Sequence, residues 1–320
     1  MKNILTIILI LTCFAFSAQQ VPLNSLYYQN LYMLNSAEVG KNKQLEFHLS
    51  HRQQWVGFDG APTTTWFSAQ KRINRNLNFG IRFNYDQISF FEKLQFDAST
   101  SYLLKIDNNN ELTFGLSLGM IQGSLVMNNM IATDYSDELL LNNGVNGVGF
   151  HSDFGIAYSL NNKLNVGVSF PNLFTTSLRL EPLNTDQSFD YKMHRILYVS
   201  YELNMSSDVK FTPLLLLRKA GGLSNQLDLI GNFNFQNNYW GGLGFRQQGG
   251  FLVNLGFSPV NSLKLTYSYE FNNSKIASFS SGSHEIMLSY ALKKTKKKPE
   301  SEDEQELEEE ETELGPEINQ

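Results

Sequence analysis

Lys93-Leu94-Gln95-Phe96-Asp97-Ala98-Ser99-Thr100-Ser101-Tyr102-Leu103-Leu104-Lys105-Ile106 is the stretch that decides the fold class. Leu94, Phe96, Ala98, Thr100, Tyr102, Leu104 and Ile106 alternate with Lys93, Gln95, Asp97, Ser99, Ser101 and Lys105. Successive side chains of an extended chain point to opposite faces, so a period of two predicts a strand with one apolar and one polar face. The alternation returns at Leu77, Phe79, Ile81, Phe83 and Tyr85 against Asn78, Gly80, Arg82, Asn84 and Asp86. It returns again at Leu263, Leu265, Tyr267, Tyr269 and Phe271 against Lys264, Thr266, Ser268, Glu270 and Asn272. Many such runs extend over about ten residues, the length a tilted strand needs to cross a bilayer.

Counting outward from these runs gives about 14 candidate strands. They fall near 43–52, 64–72, 77–87, 93–106, 111–123, 147–160, 163–170, 190–204, 209–218, 226–236, 239–247, 251–259, 263–272 and 283–292. Tight polar turns follow the even-numbered strands, as at Ile73 to Asn76, Asp107 to Asn110 and Asn161-Asn162. Mostly longer links follow the odd-numbered ones, including Gln53 to Thr63, Ser124 to Asn146, Pro171 to Phe189 and Asn273 to Gly282. Short turns on one rim and long loops on the other predict an all-β fold, a transmembrane antiparallel β-barrel over 43–292 with both chain ends on the periplasmic, short-turn side. A secreted β-sandwich or lipocalin-like barrel also alternates. The polar face argues against it: Glu46, His48, Ser50 and Arg52 on one strand, and Lys93, Gln95, Asp97 and Ser99 on another, read as the lining of a wet lumen, which leaves their apolar neighbours facing lipid.

Composition agrees. Aromatic residues at 13% and charged residues at 18% suit a chain with more apolar surface to place than a soluble domain has. Met1-Lys2-Asn3, apolar Ile4 to Leu11 and the small residues around Ala15-Phe16-Ser17 read as a signal peptide over 1–18. Acylation of Cys13 is disfavoured by Thr12 and by the apolar run continuing through Phe14 and Phe16. With Cys13 removed, the mature chain has neither a disulfide nor thiolate chemistry. Residues 19–42 read as a periplasmic N-terminal segment packed at the barrel mouth. Residues 293–320 hold five lysines and eleven acids, which account for the whole formal charge of −6, and read as a charged disordered periplasmic tail.

No catalytic, cofactor or metal site is marked. His48-Leu49-Ser50 puts histidine and serine on one strand face, as an outer-membrane phospholipase does, but no third group is designated to orient the imidazole. The five histidines, His48, His51, His151, His194 and His284, are scattered over separate strands without metal-ligand spacing. Gly144-Val145-Asn146-Gly147-Val148-Gly149 lacks the helix start and lysine of a phosphate loop. A neutral barrel with an acidic tail disfavours nucleic acid.

Arg52-Gln53-Gln54-Trp55-Val56-Gly57-Phe58-Asp59-Gly60-Ala61-Pro62-Thr63-Thr64 reads as a loop between two strands, with turn chemistry at Gly57, Asp59, Gly60 and Pro62. Trp55 and Phe58 either fold inward, with Arg52 or Asp59 pairing a lumen charge, or present an aromatic anchor to a partner. This stretch resembles the signature of the PorP/SprF family of outer-membrane proteins of the Bacteroidetes type IX secretion and gliding machinery. Gly282-Ser283-His284-Glu285-Ile286 is similar to the family's C-terminal pattern. Asn35-Ser36-Ala37-Glu38-Val39-Gly40 stands where the family carries an Asn-Pro-Ala-Tyr-Ala-Gly-like sequence, without its proline and tyrosine. The resemblance implies a non-enzymatic component that supports export or surface attachment of proteins with C-terminal sorting domains. Its implied partners are outer-membrane lipid, periplasmic ring and peptidoglycan-associated proteins, and secreted adhesin or other sorting-domain cargo. A channel for a small solute is the alternative that the polar lining suggests.

Overall fold

In a computed structural model describing residues 24–126, 145–179, 188–221, 225–247, 249–272 and 280–292, the chain forms a closed 14-strand antiparallel barrel. Its strands are β1 (Leu45–Gln53), β2 (Thr63–Arg72), β3 (Leu77–Ile88), β4 (Phe91–Lys105), β5 (Asn110–Leu125), β6 (Val145–Leu160) and β7 (Leu164–Thr175). They continue as β8 (His194–Tyr201), β9 (Val209–Ala220), β10 (Gln226–Phe235), β11 (Tyr239–Arg246), β12 (Gly250–Val260), β13 (Leu263–Asn272) and β14 (Ser283–Leu292). Each pairs with its sequence neighbours, and β1 closes on β14 from Leu45↔Leu292 to Gln53↔His284. Closure leaves no unpaired strand edge to expose backbone donors to lipid. The eighth strand is shorter than the expected 190–204: it starts at His194 and breaks at Glu202 before a two-residue continuation, Leu203–Asn204.

The period of two sorts the wall into faces. Phe79 and Phe83 of β3, Phe96 and Tyr102 of β4, Leu243 of β11 and Phe251 of β12 stand exposed on the outside, while Asn78, Arg82, Asn84, Asp86, Lys93, Asp97 and Ser99 are buried inside. The rim with connections 54–62, 176–193 and 273–282 is the long-loop rim, and β14 ends at the opposite, short-turn rim. Residues 1–18, expected as a signal peptide, and 293–320, expected as a charged tail, lie outside the described residues.

The lumen is occupied by the chain itself. Residues 24–40, which fall in the stretch expected at the barrel mouth, run through the interior, where Leu26, Tyr27, Tyr32 and Val39 are almost completely buried. Inward Ile196 and Tyr198 of β8, Leu214 and Leu216 of β9, Ile230 of β10 and Leu252 of β12 form an apolar wall against Tyr27 and Leu34. Trp66 and Met287 do the same for Leu26 and Met33. The cause is burial of apolar surface: a short segment rich in tyrosine and leucine finds cover only inside, since the outer face offers it no hydrogen-bond partners.

Candidate functional site

The segment inside the barrel has no periodicity of its own and folds as three 3₁₀ turns, Tyr27–Gln29, Leu31–Met33 and Ser36–Glu38. The third is capped by Asn35, whose side-chain oxygen accepts from the Ala37 N–H at 2.9 Å. Turns this short satisfy few of their own backbone groups, so the wall supplies partners. Asn35 Nδ2 donates to Ile156 O at 3.1 Å and to the Tyr198 hydroxyl at 3.2 Å. Asn30 Nδ2 donates to Ser68 Oγ at 2.9 Å, and the Tyr32 hydroxyl donates to Ser99 Oγ at 2.8 Å. Tyr28 reaches Asn254 Oδ1 at 2.7 Å. The turn at 36–38 presses on inward positions that hold glycine: a Cβ on Gly155 would lie 1.8 Å from Asn35 Oδ1, and one on Gly115 2.2 Å from the Ala37 nitrogen.

Two ionic clusters hold the segment. At the long-loop end, Arg246 of β11 donates from Nε to Asp228 at 3.0 Å, from Nη1 to Glu270 at 2.8 Å and from Nη2 to the Asn24 carbonyl at 2.7 Å. Arg52 of β1 pairs with Glu270 at 3.0 Å and Glu285 at 3.5 Å and donates to Ser25 Oγ at 2.8 Å. The Tyr27 hydroxyl adds a bond to Asp228 at 3.3 Å. Arg52, Arg246, Glu270 and Glu285 are all nearly inaccessible to solvent. Charges this deep cost roughly several kcal/mol each to dehydrate and persist only with opposite charges close by, which this cluster assembles from five strands and the inserted segment. The segment therefore begins at the long-loop end and leaves at the short-turn end, where the Gly40 N–H donates to Gln70 Oε1 at 3.1 Å before the chain enters β1.

Midway, Arg82 pairs with Asp153 at 2.7 Å and Asp97 at 3.4 Å, donates to Tyr32 O at 3.0 Å and lies over the Tyr32 ring at 5.1 Å. His151 bridges the same carboxylates, 2.8 Å from Asp97 and 3.3 Å from Asp153. Asp97, His151 and Asp153 bring three ligand atoms within 4.8 Å of one another, a grouping that sequence spacing did not show because it joins β4 to β6 across the β5 ladder. Arg82 already supplies positive charge to both carboxylates, so the set reads as a clamp on Tyr32. Near the short-turn rim Glu38 accepts from Asn165 at 2.8 Å and Tyr198 at 2.5 Å and pairs with Lys41 at 3.0 Å. Burial, the largest influence, pushes the Glu38 carboxyl up; Lys41 and the two donors outweigh it and hold the group below its ordinary 4.5.

The residues singled out in the 52–64 loop separate. Arg52 points inward into the first cluster, Trp55 is half-buried at a φ of 51°, and Phe58, Asp59 and Gly60 are exposed. Positive φ is rare for a residue as bulky as tryptophan, and it is held here by bonds on both sides. Val56 N–H donates to Gly282 O at 2.9 Å, Ser281 N–H to Val56 O at 2.8 Å, and Ser89 N–H to Gly60 O at 3.0 Å. Gly57 and Pro62 complete the turn, with Gln54 N–H donating to Pro62 O at 2.9 Å. His48 and Ser50 do not pair with each other: His48 Nδ1 meets Ser289 Oγ at 2.8 Å, and Ser50 Oγ donates to Glu285 at 3.1 Å.

A family model described as "Type IX secretion system membrane protein PorP/SprF" matches residues 16–290. No curated protein sequence matches the chain. Among solved structures, a deltaS2S3 mutant of TodX, described as a monoaromatic hydrocarbon channel, is similar at 10% identity with a TM-score of 0.51, covering 82% of this chain and 94% of its own. The Pseudomonas putida toluene transporter TodX is similar at 8% identity and a TM-score of 0.49, covering 82% and 93%. At such identity the first likeness speaks for the barrel fold alone.

Proposed function

We propose, from the premise that this chain belongs to the PorP/SprF family of type IX secretion system membrane proteins, that it acts as a closed, non-enzymatic scaffold. Membership makes it an outer-membrane component of type IX secretion. The observation that carries the scaffold reading is the lumen occupied by residues 24–40 and pinned by Arg52 and Arg246, which puts the chain itself where a solute would pass. The scaffold supports export or surface attachment of proteins with C-terminal sorting domains. The short-turn rim faces the periplasm, where ring and peptidoglycan-associated proteins engage it, and the long-loop rim, with Phe58 exposed, faces cargo or adhesin. Residues 293–320 follow β14 into the periplasm, their lysines against anionic lipid and their acids toward a basic partner.

The test compares the secreted and surface proteome of a deletion strain with its parent. Loss of many sorting-domain proteins makes this a core component, and loss of one adhesin a dedicated one. An unchanged proteome defeats the secretion reading. Planar-bilayer recording separates scaffold from solute channel, since a large steady current from the native barrel contradicts a closed lumen. Deleting 299–320 with no change in co-purifying proteins removes the role given to the tail.

A further inference from the structure

Three basic side chains near the long-loop end lie outside both ionic clusters. Lys93 of β4, His194 of β8 and Arg218 of β9 are at most 5% exposed. His194 and Arg218 stand diagonally across the β8–β9 ladder, where His194 faces Ala220 and Ile196 faces Arg218. Both ring nitrogens of His194, and Nε and Nη1 of Arg218, have no hydrogen-bond partner among the described residues. Lys93 has the Tyr191 ring at 5.9 Å and no carboxylate within ion-pair distance among the described residues. The acids around them are committed elsewhere: Asp228 to Arg246, Tyr27 and Gln226, Asp86 to Thr64, and Asp153 to Arg82, His151 and the Asn172 N–H.

Lys93 also borders a cavity of about 40 Å³, which Arg82 and the Asp153 it pairs with line from the midway cluster, Ile196 from β8, and Met33 and Leu34 from the inserted segment. That is more room than a single water requires. A buried guanidinium with unused donors is costly, because its lost hydration is not replaced. Arg52 and Arg82 also leave Nε without a partner, but they and Arg246 each hold two carboxylates within 3.5 Å, whereas Arg218 holds none at that distance among the described residues.

We infer that Lys93, His194 and Arg218 form a binding site for a small oxyanion, a phosphate or carboxylate group, inside the long-loop end of the barrel. Arg218 offers the planar fork that such groups accept, Lys93 a point charge, and His194 a ring N–H. The site lies beside the inserted segment, whose Met33 and Leu34 line the cavity, and does not depend on the secretion role.

The test uses the purified full-length barrel in detergent, titrated by calorimetry and thermal unfolding with sodium phosphate, then sodium acetate, against sodium chloride at equal ionic strength. Saturable stabilisation by phosphate or acetate, beyond chloride, supports the site, and the preferred probe tells phosphate from carboxylate. Arg218→Gln weakens that binding about tenfold or more, and Arg218→Lys less; folding of each variant is checked by heat-modifiable migration in SDS gels. No response beyond chloride means that water alone serves these groups and overturns the inference. Binding unchanged in Arg218→Gln, or in His194→Gln and Lys93→Met together, also overturns it.

Discussion

Replacing Arg246 with methionine tests whether the inserted segment is held by charge. The side chain is wholly buried and makes three bonds at 2.7–3.0 Å, to Asp228, Glu270 and the Asn24 carbonyl. Methionine fills much of the volume but strands Asp228, which keeps only Tyr27 and Gln226 as donors. Glu270 retains Arg52 at 3.0 Å. Breaking a buried pair in this way costs about 3–5 kcal/mol, and Arg52's persistence places this case toward the lower end. The penalty falls on the docked state, because withdrawing the segment lets water reach the stranded Asp228. A shift of that size changes the ratio of docked to undocked barrels by roughly a hundredfold to a few thousandfold. In planar bilayers the native protein should be silent, and Arg246→Met should show flickering conductance together with faster proteolysis within 24–40. A variant that migrates as a folded barrel, stays silent and protects the segment as well as the native protein would refute the reasoning.

Gly155→Ala should lower the unfolding temperature, since its methyl would overlap Asn35 Oδ1; overpacking of this kind costs about 1–3 kcal/mol, and an unchanged melting curve counts against the close packing of turn 36–38 on β6. The depressed Glu38 carboxyl stabilises docking above the unfolded-state value and loses that contribution as pH falls through its lower folded value. Protection of the segment should therefore hold at neutral pH and weaken only below about pH 4.5, with Glu38→Gln flattening the profile. Phe58→Ser should leave thermal stability within about 0.5 kcal/mol, because the ring is 48% exposed, while reducing co-purification of a cargo protein if the loop is a contact.

The wall was legible because a strand's period of two survives any arrangement of neighbours; β4 and β13 show it in sequence as in space. The contents of the lumen were not, for polar inward residues such as Ser68, Ser99 and Asn254 look the same whether they face water or the side chains of Asn30, Tyr32 and Tyr28. One signal was present. Leu214-Leu215-Leu216-Leu217 is apolar on both faces, and a strand apolar on both faces packs against protein on each side or against lipid on one and protein on the other. Glycines at the inward positions 115 and 155 carried the same message of close approach. The grouping of Asp97, His151 and Asp153 depends on the register of three strands, which no local pattern sets.

Arg52 gives the molecule an order of construction. It sits on the first strand, yet its partners are Ser25 in the segment ahead of that strand and Glu270 and Glu285 on the last two. The inserted segment and the last two strands thus meet at one guanidinium beside the β1–β14 seam. A segment bonded both to the seam and to the opposite wall is most readily installed while the sheet is still open. The barrel is then wrapped around its own leader, and the last hairpin seals it in.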